Sequence, residues 1–512
     1  MVGGREDYGR NSGECIMSAT LRHRVLAGVM WNSVARVVQQ TMQFALSVIL
    51  ARLLLPDDFG AVGMIMVVIT FMAMFAEAGF ASALVQRTDI SELHTDSVFW
   101  FSAASGLVLS GILFVGSPLV AAFYHEPILS PMTRGLSPVF ILSTVGLVPA
   151  ALMQRRLQFH VIARISLVAT VISGVTGVTL ALLGAGVWSL VVMYLISFLV
   201  STLLNLICSG WKPGRAFSLA ALKELWGFTG NVLGFNFVNY WARNADSMLV
   251  GRFLGSAALG YYSRAYGLML MPITQIISVV SNVMFAALST IKEDKVRVKR
   301  IYLRALNLIS FLTFPLMVGL LILAEPFVLT VFGEPWSGMI QVLRILAVVG
   351  LLQSLVNPTG WLYLSQGRTD WYFRWGLVNA AVVVAAIAGG ILFGSIEAVA
   401  ACYATANLLL FYPNLVIPGR FVGISFKDIF RTTSGSLVDT GLMAIAVYGI
   451  SWLLPETLPG WLELGLLSAI GALVYVALAA GLRRTAWLEL LTLLRERLGR
   501  RRPSTVLPGL TK

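Results

Sequence analysis

Apolar residues recur along the chain in fourteen long blocks separated by short polar connections. They lie near 25–51, 58–85, 97–123, 131–153, 163–184, 186–209, 228–250, 257–289, 303–324, 336–365, 372–394, 396–419, 433–454 and 460–481. Each block reaches about 20 residues or more, enough to cross the hydrocarbon core as a helix. None shows the short-period alternation of a membrane β-barrel strand. The pattern predicts an all-α integral membrane protein of about 14 transmembrane helices. The eighth and tenth blocks exceed one span and predict tilts or breaks, with Pro272 placed to kink the former and Asn357-Pro358 to break the latter.

The polar positions inside these blocks repeat. Setting Ala51–Gly60 against Gly251–Gly260 pairs Arg52 with Arg252, Leu54 with Leu254 and Gly60 with Gly260. At the same offset Arg36 faces Asn236, Gln39 faces Asn239, Gln43 faces Arg243 and Ser47 faces Ser247. Steps of three or four residues put each set along one side of a helix. A shared stripe at the head of each half argues for an internal repeat, and such a stripe must face protein or water. Interhelical packing is the plainer use of the same residues. Six blocks precede the seventh, so the seventh crosses in the direction of the first. The prediction is two six-helix lobes, 25–209 and 228–419, as parallel repeats around a central cavity, joined by a cytoplasmic linker at 210–227. Residues 420–482 add two extra C-terminal helices, and 483–512 form a basic amphipathic tail suited to an anionic membrane surface. Residues 1–24 read as a cytoplasmic N-terminal segment in which Met17 is a second plausible start.

Composition agrees, with 57% hydrophobic and only 12% charged residues against roughly 25% charged in soluble domains. The net charge of +13 resides in short loops, so no nucleic-acid partner is expected. Every second connection is basic, as at Arg87, Arg155-Arg156 and Lys292 to Arg300. Those between are acidic or uncharged, as at His125-Glu126-Pro127 and Glu325 to Glu334, and only Arg52 and Arg252 break the rule. The positive-inside rule then places both termini in the cytoplasm. Three scattered cysteines make neither a disulfide framework nor a metal cluster. The four histidines read as loop residues far apart, no Walker-type phosphate loop is present, and Asp57-Asp58 mark a helix start. No cofactor and no metal are expected, and the reading is not an enzyme.

Ionisable groups within the spans are the candidate chemistry. Arg36, Arg243, Arg264 and Arg344 outnumber the acids Glu77 and Asp246. Guanidinium forks match phosphate oxygens, and the amides of Gln39, Gln43, Asn236 and Asn239 both donate and accept, as sugar hydroxyls require. Arg243 and Asp246 are spaced to pair with each other, Glu77 to snorkel, and Arg344 to anchor at the interface.

Three runs carry a family resemblance: VILARLLLPDDFGAVGM from Val48, AEAGFASALVQR ending at Arg87, and NADSMLVGRFLGSAALGYYSRAYGLMLMP from Asn244. The chain resembles the polysaccharide-transport branch of the MOP exporter superfamily, of the Wzx/WzxC type, from about residue 20 to 480. The resemblance implies an inner-membrane flippase for undecaprenyl-diphosphate-linked oligosaccharide, serving exopolysaccharide, capsule or O-antigen synthesis by alternating access. It implies Arg36, Arg243 and Arg264 as groups meeting the diphosphate or acidic sugars. It also implies partners in lipid-linked oligosaccharide, membrane lipids, and a polymerase and glycosyltransferases. A proton or sodium gradient, acting through Asp246 or Glu77, is left open. A drug or cation exporter of the same superfamily would want an acid-rich, aromatic cavity. A membrane-embedded glycan-assembly enzyme would want a long outer loop bearing catalytic groups.

Overall fold

The computed structural model describes residues 37–77, 80–87, 89–455, 458–482 and 487, with the backbone alone at 77, 225–239, 242–243, 282–283 and 285–286. Among the described residues every regular element is a helix. That is the expected solution for apolar runs, since a helix satisfies its own backbone groups where no water can.

The first part comprises α1 (37–53), α2 (Pro56–Glu77), α3 (Phe80–Gln86), α4 (Glu92–Tyr124), α5 (Leu129–Leu136), α6 (Val139–Arg155), α7 (Phe159–Leu182) and α8 (Trp188–Ser209). A 72-residue α9 (Leu219–Thr290) follows, interrupted by non-helical Gly255 at φ 88° and ψ −178°. Then come α10 (Lys295–Ile322), α11 (Ala324–Val331), a 3-10 turn (Glu334–Met339), α12 (Ile340–Val356), α13 (Thr359–Ser365), α14 (Thr369–Ile391), α15 (Ile396–Arg420), α16 (Phe426–Ser451) and α17 (Gly460–Gly481). Ten helices among the described residues are long and apolar enough to cross a membrane. The chain is therefore a multi-pass membrane protein. Neither α9 nor α16 is in that set, and in α16 a run of Thr, Ser and Asp dilutes the hydropathy.

Punctuation falls where the sequence places it, with one exception. The tenth block breaks at Asn357-Pro358, between α12 and α13. Ser137-Pro138 breaks the fourth block in the same way, because proline cannot donate to the preceding turn. In α9 the interruption is at Gly255, while Pro272 lies inside the helix beyond it.

The chain divides into two compact units, Met1–Gly260 and Tyr261–Lys512. In the first, α4 packs on α6, α6 on α8 and α7 on α8, around a core containing Phe80, Leu84, Val98 and Val148. In the second, α10 packs on α12 and α16, and α12 and α14 on α15, with Tyr302, Leu306, Leu362 and Ile424 at its centre. The halves echo each other in detail. After α6, Leu157 takes φ 56° and the next amide returns to Met153 O at 3.0 Å. After α13, Gly367 takes φ 67° and Arg368 N returns to Tyr363 O at 2.8 Å. Both are left-handed helix stops that satisfy orphan carbonyls.

The repeat segments meet within the first unit. A Cβ on Gly60 would lie 1.7 Å from the Ser256 carbonyl oxygen, and one on Gly260 would lie 2.1 Å from that of Pro56. Positions 56 and 256 thus press on 260 and 60 reciprocally, a local two-fold crossing at the offset read from the sequence. Only glycine allows two backbones so close. Gly60→Val is expected to lower stability in detergent by about 3 kcal/mol, whereas Gly267→Ala, whose Cβ meets nothing within 4 Å, leaves the thermal midpoint unchanged or higher.

Candidate functional site

The expected site residues do not form one described cluster. Arg36 lies outside the described residues, as do the side chains of Glu77, Asn236, Asn239 and Arg243. On α1, Gln39 is half-buried and Gln43 exposed. Asp246 accepts from the Ser247 amide at 2.6 Å. Arg264, in the second unit, is half-buried. Arg344 is ion-paired with Glu325 at 3.0 Å, and with both side chains more than a third exposed the pair adds at most about 1 kcal/mol. The aromatic residues near the α9 stripe are engaged within the first unit. Tyr240 donates to the Val67 carbonyl of α2, and Phe71 lies 5.6 Å from the Tyr240 ring and 5.1 Å from that of Trp241.

Two further concavities escaped the sequence reading. A polar cleft of about 360 Å³ opens in the first unit between α6 and α8, beside the start of α3. Ser143, Gln154, Ser197, Ser201, Thr202 and Asn205 supply its polar lining, and no ionisable side chain lines it. In the second unit an apolar groove of about 620 Å³ runs among α10, α16 and α17. Phe311, Pro315, Gly319, Met443, Leu467 and Val476 are among its walls. Even the hydroxyl of Tyr475 is turned away, donating to Phe311 O at 2.7 Å. One turn before Met443, Asp439 is fully buried, on the same face of α16 as buried Thr433, Ser436 and Thr440. The three-to-four spacing of these four residues was a visible signal of a packed polar stripe.

The basic connections are structural clasps as well as topology signals. Arg155 donates to the carbonyls of Leu84 and Arg87, and Arg156 to Ser209 O at 2.9 Å. His94, expected in a loop, stands in the first turn of α4, where its ring meets the Ser91 hydroxyl at 2.8 Å. His160 likewise lies in the first turn of α7. The reason is that both helices start earlier than their apolar blocks, α4 with a capping box of Ser91 and His94. Glu224 gathers His94 at 3.4 Å and Arg87 at 3.0 Å, and these partners, His94 first, hold its carboxyl below the usual range.

In the second unit Lys299 reaches Asp428 at 2.6 Å and the Gly423 carbonyl at 3.0 Å. Lys299, then the Ser425 amide and hydroxyl, pull the Asp428 carboxyl down to about 2. Because its folded pKa lies below the unfolded value of roughly 3.9, Asp428 stabilises the fold above that pH. The contribution is lost as pH falls toward about 2. Asp428→Asn is expected to cost about 1 kcal/mol near neutrality, allowing for solvent screening. Denaturant unfolding at descending pH should show wild type and variant converging below about pH 4.

Comparison with known proteins places this arrangement. The profile of a family described as polysaccharide biosynthesis protein matches residues 49–341, more than half the chain. The chain is 30% identical over 488 residues to the succinoglycan biosynthesis transport protein ExoT of Rhizobium meliloti, covering 94% of this chain and 97% of that one. It is 28% identical over 384 residues to the lipopolysaccharide biosynthesis protein WzxC of Escherichia coli, covering 74% and 77%. Among solved structures its fold is similar to the lipid II flippase MurJ in an inward closed conformation. That match has a TM-score of 0.71 at 16% identity and covers 92% of this chain and 100% of that one. An inward-facing multidrug resistance MATE family transporter of the MOP superfamily has a TM-score of 0.61 at 15% identity, covering 76% and 98%. The profile match and the full-length relative together show that this chain belongs to the polysaccharide biosynthesis protein family.

Proposed function

We propose that this chain is a flippase that moves lipid-linked oligosaccharide repeat units across the bacterial cytoplasmic membrane by alternating access, with both termini in the cytoplasm. The observation that carries the reading is that one chain holds both a polar cleft without ionisable groups and a long apolar groove. A glycolipid cargo needs both surfaces. Hydroxyls and amides exchange hydrogen bonds with sugars, while a lipid tail gains by leaving neither water nor polar groups against its methylenes. The names of relatives support it: ExoT is a transport protein of succinoglycan biosynthesis, and MurJ, with the same fold, is a flippase of lipid II.

In this reading Arg36, Arg243 and Arg264 meet the diphosphate, since a guanidinium fork pairs its oxygens bidentately. No bond is made or broken and no cofactor is required. A proton or sodium gradient would act through Asp246 or Glu77. Glycosyltransferases supply the cargo and a polymerase consumes it. The cargo must not bind one leaflet-facing state too tightly, because the ligand would then hold the protein there.

Deletion of the gene is expected to abolish surface polymer while lipid-linked repeat units accumulate inside. Gly319→Phe fills the groove from a position whose Cβ meets nothing within 4 Å. It should insert normally yet lower polymer output about tenfold, equivalent to ~1.4 kcal/mol on the transport barrier. Arg36→Ala and Arg243→Ala should do the same. A deletion that spares polymer and changes only drug tolerance would instead make the protein an exporter of drugs or cations.

A further inference from the structure

The end of the first unit opposite its basic connections carries a cluster that the transport reading does not use. Arg252, in the repeat segment before Gly255, packs its guanidinium 5.5 Å from the ring centroids of both Phe123 and Phe253. The same guanidinium contacts Nδ1 of His125. His125 ends α4 in a left-handed conformation, φ 58°, and is exposed. Next to it, the Ser256 hydroxyl faces Asp57 Oδ1 at 2.9 Å and Glu126 Oε1 at 3.3 Å. Three connections are thereby fastened over the Gly60–Gly260 crossing: that between α1 and α2, that between α4 and α5, and the break in α9.

The contact dictates a charge state. A guanidinium has donors only, so the His125 nitrogen facing Arg252 must be an acceptor and the ring neutral. Protonation of that nitrogen removes the acceptor and leaves two cations in contact. The ionisable groups at these connections are Arg52 of α1, Asp57 and Asp58 of α2, and Glu126 beside His125; farther along the same packed elements stand Tyr124 of α4, Arg134 of α5, bonded to Ser117, and Asp246 of α9, which accepts from the Ser247 amide. Asp57, Asp58 and Glu126 can take over a displaced arginine or imidazolium, while Arg52 cannot. Charging His125 therefore works against the closed arrangement by setting its ring against the Arg252 guanidinium.

We propose that His125 and Arg252 form a proton-released latch that holds the outer ends of α1, α2, α4 and α9 together. Proton uptake at His125 from the outer side frees the repeat segments to separate. The latch rests on the flippase reading only for its purpose, which is to restrict outward opening; its chemistry stands without a cargo.

The test uses the full-length protein in lipid vesicles, with Cys15, Cys208 and Cys402 replaced and spin labels at Leu55→Cys and Ala257→Cys. Pulsed dipolar spectroscopy should show one short distance at roughly pH 8, and a longer population growing about tenfold toward roughly pH 5, across the range in which histidines titrate. His125→Gln keeps an acceptor for Arg252 without titrating and should stay closed throughout. His125→Arg should be open at both pH values. Hydrogen exchange of amides 251–260 in unlabelled protein reads the same opening if the labelled pair folds poorly. A wild-type distance indifferent to pH, or a full pH response surviving in His125→Gln, would overturn the proposal. Polymer complementation is scored separately, so loss of the flippase reading would leave the distance measurement standing, and the converse also holds.

Discussion

A polar group without a partner is far more costly in hydrocarbon than in water, and this asymmetry governs where the chain puts its polar atoms. Backbone groups close into helices. Threonine hydroxyls fold back onto their own helices, as Thr170 does on Ser166 O and Thr313 on Ile309 O. Two of the three side-chain amides inside α14 and α15 form a closed relay with Trp375: Trp375 donates to Asn414 at 2.6 Å, Asn414 to Asn379 at 3.0 Å, and Asn379 back to the Trp375 carbonyl at 3.1 Å, while Asn407 donates to Tyr403 O at 2.9 Å. The buried carboxyl of Asp439 follows the same rule, since the stripe it shares with Thr433, Ser436 and Thr440 turns from lipid into the bundle.

The arginines and lysines between helices serve the same economy at the membrane surface. Arg155 and Arg156 cap carbonyls that the ends of α3 and α8 leave open, and Lys299 closes the turn before α16. A residue chosen for topology can thus also terminate a helix, because both tasks require a cation at the same depth. Arg134 differs from these. It lies inside the fourth apolar block, in the last turn of α5, and is held by Ser117 at 2.8 Å and by the face of Phe114 at 5.7 Å. Its charge is met by partners on α4 and not by a loop.

Much of the fold was legible because a membrane reduces it to one variable, the length of apolar runs. The helix ends differ from the block edges by a few residues, since capping turns such as Ser91–His94 are polar and extend the helices outward. The offset pairing Gly60 with Gly260 was legible as similarity, but the backbone contact between them was not, because sequence does not say which repeats touch. The site was less legible. Arg344 looked like cavity chemistry, yet its Glu325 partner stands 19 residues away across a turn. The apolar groove left no mark at all, since residues lining a groove and residues facing lipid are chemically the same. The polar cleft was missed for a different reason. Its α8 stripe, Ser197, Ser201, Thr202 and Asn205, has helical spacing, but small hydroxyls and one amide among apolar neighbours stand out less than charges do, and Ser143 and Gln154 complete the lining from α6.

That asymmetry bears on how members of this family can diverge. The polar cleft is lined by small polar residues such as Ser197, Ser201 and Asn205, where one substitution removes or adds a hydrogen bond without disturbing packing. An interaction of that kind is worth about 1 kcal/mol, enough to alter the lining of the cleft and too little to unfold a bundle. The glycine crossing tolerates much less. A side chain at Gly60 or Gly260 would meet backbone, and backbone cannot rotate aside. Change is therefore expected to concentrate in the polar cleft, while the helix scaffold and the crossing at Gly60 and Gly260 hold their residues.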